Sequence, residues 1–190
     1  MNVVVIGDFP EKTKKNIAQT FPAGWKLRIG RLGEVDSFLS DADVVIPEHV
    51  RIDAPFLDRT PNLRMVQTGA GYDNVKLDEC TKRGVLVCNA AGINAAAVAE
   101  HVMALILCWY KNIAYLDAFL KSHRNERELD YAGAELAGKT MGIIGLGNAG
   151  KRVAAFGRAF DMNILGYSHK PVDIQGVKQV HLDRLYEESD

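Results

Sequence analysis

The chain carries almost no net charge: 23 lysines and arginines against 24 aspartates and glutamates leave −1 at pH 7. No long run of one sign breaks that balance, so electrostatics gives no support for a nucleic-acid partner or another polyanion. Cysteine is also scarce. Cys80, Cys88 and Cys108 are odd in number and lack CxxC spacing, which argues against a disulfide frame or a metal site. They read as reduced, buried cytosolic thiols. Long apolar runs are missing too: the stretch Ala95 to Tyr110 is broken by Glu100 and His101 and is short for a membrane span. The opening Met1 to Asp8 has no basic segment, and its apolar run is a strand's length, so no signal peptide is expected. These absences point to a cytoplasmic protein without a membrane or nucleic-acid partner. The 47% apolar and 25% charged residues are ordinary for a globular chain, and 190 residues suffice for one large domain or two small ones.

What is present is concentrated in one stretch. Thr140 to Leu146 reads as a strand, Lys151 to Phe160 as a helix, and between them Gly145-Leu146-Gly147-Asn148-Ala149-Gly150 matches G-x-G-x-x-G. The glycine pattern alone also fits an ordinary glycine-rich turn. Between a strand and a helix it is the dinucleotide-binding fingerprint. Gly145 permits the tight turn, Gly147 lets a pyrophosphate approach the backbone, and Gly150 lets the helix pack on the sheet. The phosphates would then meet free N–H groups, including those of Asn148 and Ala149, at the positive end of the helix dipole.

The first half alternates strand-like and helix-like segments. Strands are expected at Val3–Ile6, Lys26–Ile29, Asp43–Ile46 (stopped by Pro47), Leu63–Gln67 and Val85–Cys88. Helices are expected at Glu11–Thr20, Glu34–Ser40, Ala54–Asp58 and Leu77–Arg83. Such alternation implies βαβ units and a parallel sheet with helices on both faces. Asn94 to Leu107 reads as a long helix, and Asn112 to Leu129 continues helical with a charged end at Lys121–Glu128. After the glycine loop come a strand at Asn163–Tyr167, a weaker one at Val177–His181 and a helical turn at Asp183–Glu188. A doubly wound nucleotide domain has two mononucleotide-binding halves and about six strands; only the first half is expected here.

Three segments together resemble the D-isomer-specific 2-hydroxyacid dehydrogenases. They are Gln67-Thr68-Gly69-Ala70-Gly71-Tyr72-Asp73-Asn74-Val75, the run Arg83 to Asn94 with Ala97-Val98-Ala99-Glu100-His101, and the Gly138-to-Gly150 fingerprint. The resemblance extends from about Asp43 onward. It implies an α/β protein: a flavodoxin-like parallel-sheet substrate domain (residues 1–99), then the first half of a Rossmann dinucleotide-binding domain (residues 100–190), with the active site in the cleft between them. It also implies that the Asn94–Leu107 helix is a hinge crossing and part of a homodimer interface. Ala70 and Gly71 match the turn whose backbone N–H groups hold the substrate carboxylate, an anion nest that needs no charged side chain. Asn94 and Val98 match positions lining the nicotinamide side. A plain turn at Gly69–Gly71 and a core methyl at Val98 are the alternatives.

The family's arginine, glutamate and histidine, which bind the 2-keto acid and move the proton, have no match among these residues. His101 reads as a packing or hydrogen-bonded histidine, and His123 and His181 as surface or strand-edge residues. His49 and Arg51 read as exposed loop residues, although they could face the cleft.

Cofactor choice rests on the end of the second nucleotide strand. NAD-selective domains carry an acid there to bind the ribose 2′-OH. Here Ser168, His169 and Lys170 follow the strand, and the first acid is Asp173, beyond Pro171. A hydroxyl and an ammonium suit a 2′-phosphate, so NADP(H) is the expected cofactor, with NAD as the alternative. The reading is therefore an NAD(P)H-dependent oxidoreductase acting on a small 2-keto acid such as glyoxylate or hydroxypyruvate. The alternative is a non-catalytic nucleotide-sensing or dimerisation module of the same fold. The chain reads as C-terminally truncated, and loss of half a sheet would expose an apolar edge and favour oligomers. General acid–base catalysis needs a positioned proton donor. The expected outcome for a polypeptide of these 190 residues is little or no hydroxypyruvate reduction, and normal turnover in a spectrophotometric assay would overturn it.

Overall fold

The β-branched run after Met1 folds as β1 (Asn2–Ile6), the strand around which the first half is organised. The computed structural model that shows this describes residues 1–123 and 133–190, and only the backbone of His123. β1 is flanked by β2 (Lys26–Gly30) and β3 (Val44–Pro47), and β4 (Met65–Gln67) and β5 (Leu86–Cys88) follow beyond β3. All pairings are parallel and the strand order is β2-β1-β3-β4-β5. This is the flavodoxin-like order.

Strand side chains alternate between faces, and β1 shows the result. Val4 and Ile6 enter one buried cluster with Leu39, Val45, Ile52 and Val66. Val3 and Val5 enter another with Val44, against which Ile17 and Phe21 pack. Both faces of β1 are dry, as a central parallel strand requires. The connections carry α1 (Glu11–Thr20), α2 (Leu32–Val35), a 3-10 turn (Asp36–Asp41), α3 (Ala54–Asp58) and α4 (Leu77–Lys82).

The second compact unit runs from Gly92 to Asp190, the first from Met1 to Ala91. The division therefore falls ahead of the 99/100 boundary read from sequence, which lies inside α5 (Ala95–Tyr110). That helix buries Ala99 and Met103 in one cluster with Met141, Ile143, Val153 and Ile164 of the second unit. After α6 (Ile113–His123) come β6 (Thr140–Ile144), α7 (Asn148–Ala159), β7 (Asn163–Tyr167), β8 (Val177–Gln179) and α8 (Leu182–Glu188). The sheet is parallel in the order β6-β7-β8, which is one mononucleotide-binding half. Asp190 aligns beside β6. Its carboxylate accepts from the Thr140 N–H at 2.8 Å and Lys139 Nζ at 3.3 Å, which together hold that carboxyl below the usual range.

Several sequence expectations are corrected. The helix expected at Glu34–Ser40 is instead short α2 followed by a 3-10 turn. Asp36, Ser37, Ser40 and Asp41 compete for backbone hydrogen bonds and favour turns over a continuous helix. Pro47 does not stop β3 but ends it, buried and opposite Ile6. The ladder to β4 has run out by then, so no N–H is missed there. Of the three thiols only Cys80 is buried, and burial pushes its pKa up; Cys108 is half-buried and Cys88 exposed at the end of β5. The expected helical segment Arg124–Leu129 lies outside the described residues. Among the described residues no single helix is long and apolar enough to cross a membrane; α5 with Ile113–Ser122 has the length only as a pair bent by 53°.

Ile6 is fully buried in β1. Replacing it by Ala is expected to cost about 3 kcal/mol, seen as a lower urea midpoint for the unfolding of the first unit.

Candidate functional site

Two loop constructions carry the residues singled out from sequence, one in each unit. In the first unit the chain leaves β4 and turns through Thr68, Gly69, Ala70 and Gly71. The segment after β5 fastens this turn: the Thr68 N–H donates to Cys88 O at 2.9 Å, the Ala90 N–H to Gly69 O at 2.8 Å, and Asn89 Nδ2 to Ala70 O at 2.8 Å. On the far side Asn74 Nδ2 donates to Val50 O at 2.6 Å, and the Ile52 N–H to Asn74 O at 2.8 Å. The Gly69 and Ala70 carbonyls are thus occupied. The N–H groups of Gly69, Ala70 and Gly71 have no acceptor among the described residues.

Those unpaired donors line a cavity of about 280 Å³ bounded also by Pro47, Glu48, His49, Asp73 and Asn74. Successive free N–H groups in a turn form an anion nest. The side chains add little positive charge to it. His49, held at φ 57°, lies 3.2 Å from Glu48, and Asp73 contributes a second carboxylate. An anion bound here relies on main-chain dipoles. His49 and Arg51 are both exposed, as read from sequence, but they differ in their surroundings. His49 lines the cavity, whereas Arg51 pairs with Asp53 at 3.2 Å.

In the second unit the glycine loop joins β6 to α7. Gly145 adopts φ +95°, the left-handed region that disfavours side chains. A Cβ on Gly150 would overlap the Gly145 carbonyl oxygen, so helix and loop touch backbone to backbone. Around Gly147 the space is open. The helix begins at Asn148, capped by Gly147, rather than at Lys151 as read from sequence. This shift places the unpaired N–H groups of Asn148, Ala149 and Gly150 in the loop itself, the first satisfied amide being Lys151 to Gly147 O at 3.0 Å. The cradle fits a dinucleotide pyrophosphate: donors, dipole and missing side chains coincide.

The loop after β7 is tied to this cradle. The Gly145 N–H donates to Tyr167 O at 2.8 Å, and Ser168, His169 and Lys170 follow directly. The His169 ring meets Tyr167 edge-on, with centroids 5.8 Å apart. Asn94 and Val98 sit at the start of α5, joined by the Val98 N–H to Asn94 O bond at 2.9 Å; Val98 is 40% exposed. Gly92, just before them, leaves room only for the Asn148 side chain, so the opening turns of α5 and α7 meet there.

The remaining histidines gain no site role. His101 is exposed within α5 and, contrary to the sequence reading, its ring makes no hydrogen bond among the described residues. The side chain of His123 lies outside them. His181 caps α8 and pairs with Asp183 at 3.3 Å. Sequence reasoning missed Asn89 and Gln179, whose amides grip loop carbonyls. Nothing in a single sequence marks an asparagine or glutamine as such a brace. No cluster of metal-ligating side chains occurs among the described residues.

Comparison with known proteins agrees with this geometry. Residues 103–190 match the family model described as D-isomer specific 2-hydroxyacid dehydrogenase, NAD binding domain. A hydroxypyruvate reductase of Thermotoga maritima is 35% identical over 160 residues, 83% of this chain and 52% of that protein. A D-3-phosphoglycerate dehydrogenase of Archaeoglobus fulgidus is 37% identical over 152 residues, 77% of this chain and 29% of that protein. The chain thus spans about half or less of the relatives it matches. Among solved structures, a D-lactate dehydrogenase of Aquifex aeolicus, in complex with NAD and lactic acid, superposes with a TM-score of 0.84 at 26% identity, covering all of this chain and 59% of that one.

Gly150→Ala tests the backbone contact. It is expected to cost about 1–3 kcal/mol and to abolish dinucleotide binding. A melting temperature and a titration with NADPH both unchanged from the parent would refute it.

Proposed function

Because the chain belongs to the D-isomer-specific 2-hydroxyacid dehydrogenase family, we propose that it serves an NADP(H)-dependent oxidoreductase that interconverts a small 2-keto acid and its 2-hydroxy acid. The observation that carries this reading is the pair of unpaired N–H arrays, one at Gly69–Gly71 and one at Asn148–Gly150. The first takes the substrate carboxylate and the second the cofactor pyrophosphate. A bound nicotinamide cofactor supplies the hydride. The first unit acts as the substrate-binding domain and the second as the cofactor domain. Ala70 and Gly71 orient the acid by its carboxylate, so that its 2-carbon is presented in a fixed pose. Asn94 and Val98 border the nicotinamide, Val98 contributing an apolar surface that excludes water.

The NADP(H) preference rests on Ser168, His169 and Lys170, with no carboxylate among them. Neither the Ser168 hydroxyl nor the Lys170 ammonium has a partner among the described residues, and both are free to meet a 2′-phosphate. The three thiols are unpaired, which fits a reducing cytoplasm. A homodimer is the natural assembly: α5 and α6 leave Leu105, Trp109, Ile113, Tyr115 and Leu120 exposed, Trp109 by 79%. Large apolar side chains exposed together on two consecutive helices suit an interface. A nucleotide-sensing module would use the same cofactor cradle, but the anion nest at Ala70–Gly71 favours the enzyme.

NADPH is expected to bind more tightly than NADH in an equilibrium titration. Lys170→Ala should weaken NADPH about tenfold, the loss of one charge-assisted hydrogen bond, and leave NADH nearly unchanged. Tighter binding of NADH by the parent chain would sink the NADP(H) assignment. Trp109→Glu is expected to shift a dimer to monomer in light scattering; an unchanged mass would rule this face out as the interface.

A further inference from the structure

One side chain holds the whole segment that follows β7. Gln179, the last residue of β8, donates from Nε2 to Ser168 O and to Lys170 O, each at 3.2 Å, and accepts from the Val172 N–H through Oε1 at 3.0 Å. Three main-chain groups spread over five residues are thereby fixed by a single amide, using its donors and its acceptor together. Pro171 lies within that span and fixes its own φ, so the loop has few remaining freedoms. The edge-on contact of His169 with Tyr167 closes the other side. Gln179 itself is anchored by strand pairing: it lies opposite Gly166, and the neighbouring Val180 N–H donates to Gly166 O at 2.9 Å.

We infer that Gln179 is a positioning residue for cofactor selectivity, pre-forming the Ser168–Val172 loop so that the Ser168 hydroxyl and Lys170 ammonium present themselves together to the 2′-phosphate of NADP(H). This rests on the NADP(H) reading above. The physical reason is pre-organisation. A lysine on an unconstrained loop loses chain and side-chain entropy when it captures a phosphate, whereas a loop already held by its carbonyls loses much less. The amide touches only backbone, so its own side chain carries no charge toward the ligand. Its effect should appear wherever the 2′-phosphate is contacted and nowhere else. NADH, which lacks that phosphate, draws chiefly on the glycine cradle and α7, and the side-chain hydrogen bonds of Gln179 reach neither.

The test compares the parent chain with Gln179→Met, which keeps length and removes all three hydrogen bonds, and with Gln179→Ala. Affinities for NADPH, NADH, adenosine 2′,5′-bisphosphate and ADP are measured by calorimetry, and amide exchange of Val172 by NMR. The expected result is about tenfold weaker binding of NADPH and of the bisphosphate, NADH and ADP within about twofold, and loss of protection at Val172. Retained NADH binding shows that the variants fold. A parallel loss for both cofactors, or no change in their ratio, would overturn the inference. A parent chain that prefers NADH removes the NADP(H) reading and this inference with it. A parent that prefers NADPH, with variants that keep its ratio, removes this inference alone.

Discussion

The first turn of α7 lies so close to the Gly145 carbonyl that no side chain fits between them, and the architecture of the nucleotide unit follows from that contact. With α7 pressed onto the end of β6, its unpaired amides open into the loop instead of pointing along the sheet. Gly145 also donates to Tyr167 O, which ties the glycine loop to the segment that follows β7. Val153, Ala154 and Gly157 then bury the helix face against β6 and β7. Gly150, read from sequence as the glycine that lets the helix pack on the sheet, thus sets how α7 seats on β6.

The first unit reaches a comparable end by a different route. Its turn at Thr68–Gly71 contains no helix terminus and no cation. The segment after β5 holds the turn by its Gly69 and Ala70 carbonyls, while the N–H groups of Gly69, Ala70 and Gly71 keep no acceptor among the described residues. Both loops lie at the carboxyl ends of parallel strands, where open α/β sheets place their ligands. In each, an amide side chain from a later strand or its extension does the holding: Asn89 in one, Gln179 in the other.

Much of this was legible in the sequence because the informative residues were glycines and β-branched runs, whose physical meaning is local. The alternation along residues 1–88 gave the parallel sheet, and Gly145–Gly150 between a strand and a helix gave the cradle. The failures have equally local causes. Asp36, Ser37, Ser40 and Asp41 break a helix that apolar spacing alone would propose. Cys88 looked like a core thiol, but β5 is an edge strand and Cys88 is exposed at its end. The start of α7 at Asn148 was hidden because glycine reads as a breaker, whereas here it caps. Asn89 and Gln179 left no trace in the sequence, since their partners are carbonyls 9 to 19 positions away.

The bracing of each loop by one exposed or half-exposed amide has an evolutionary consequence. Neither Asn89 nor Gln179 belongs to a buried cluster, so exchanging either leaves the apolar core of its unit untouched. The contacts that shape these two loops are thus largely separate from those that hold each core. A lineage built on this scaffold can reshape either loop through a few surface changes, without passing through an unfolded ancestor.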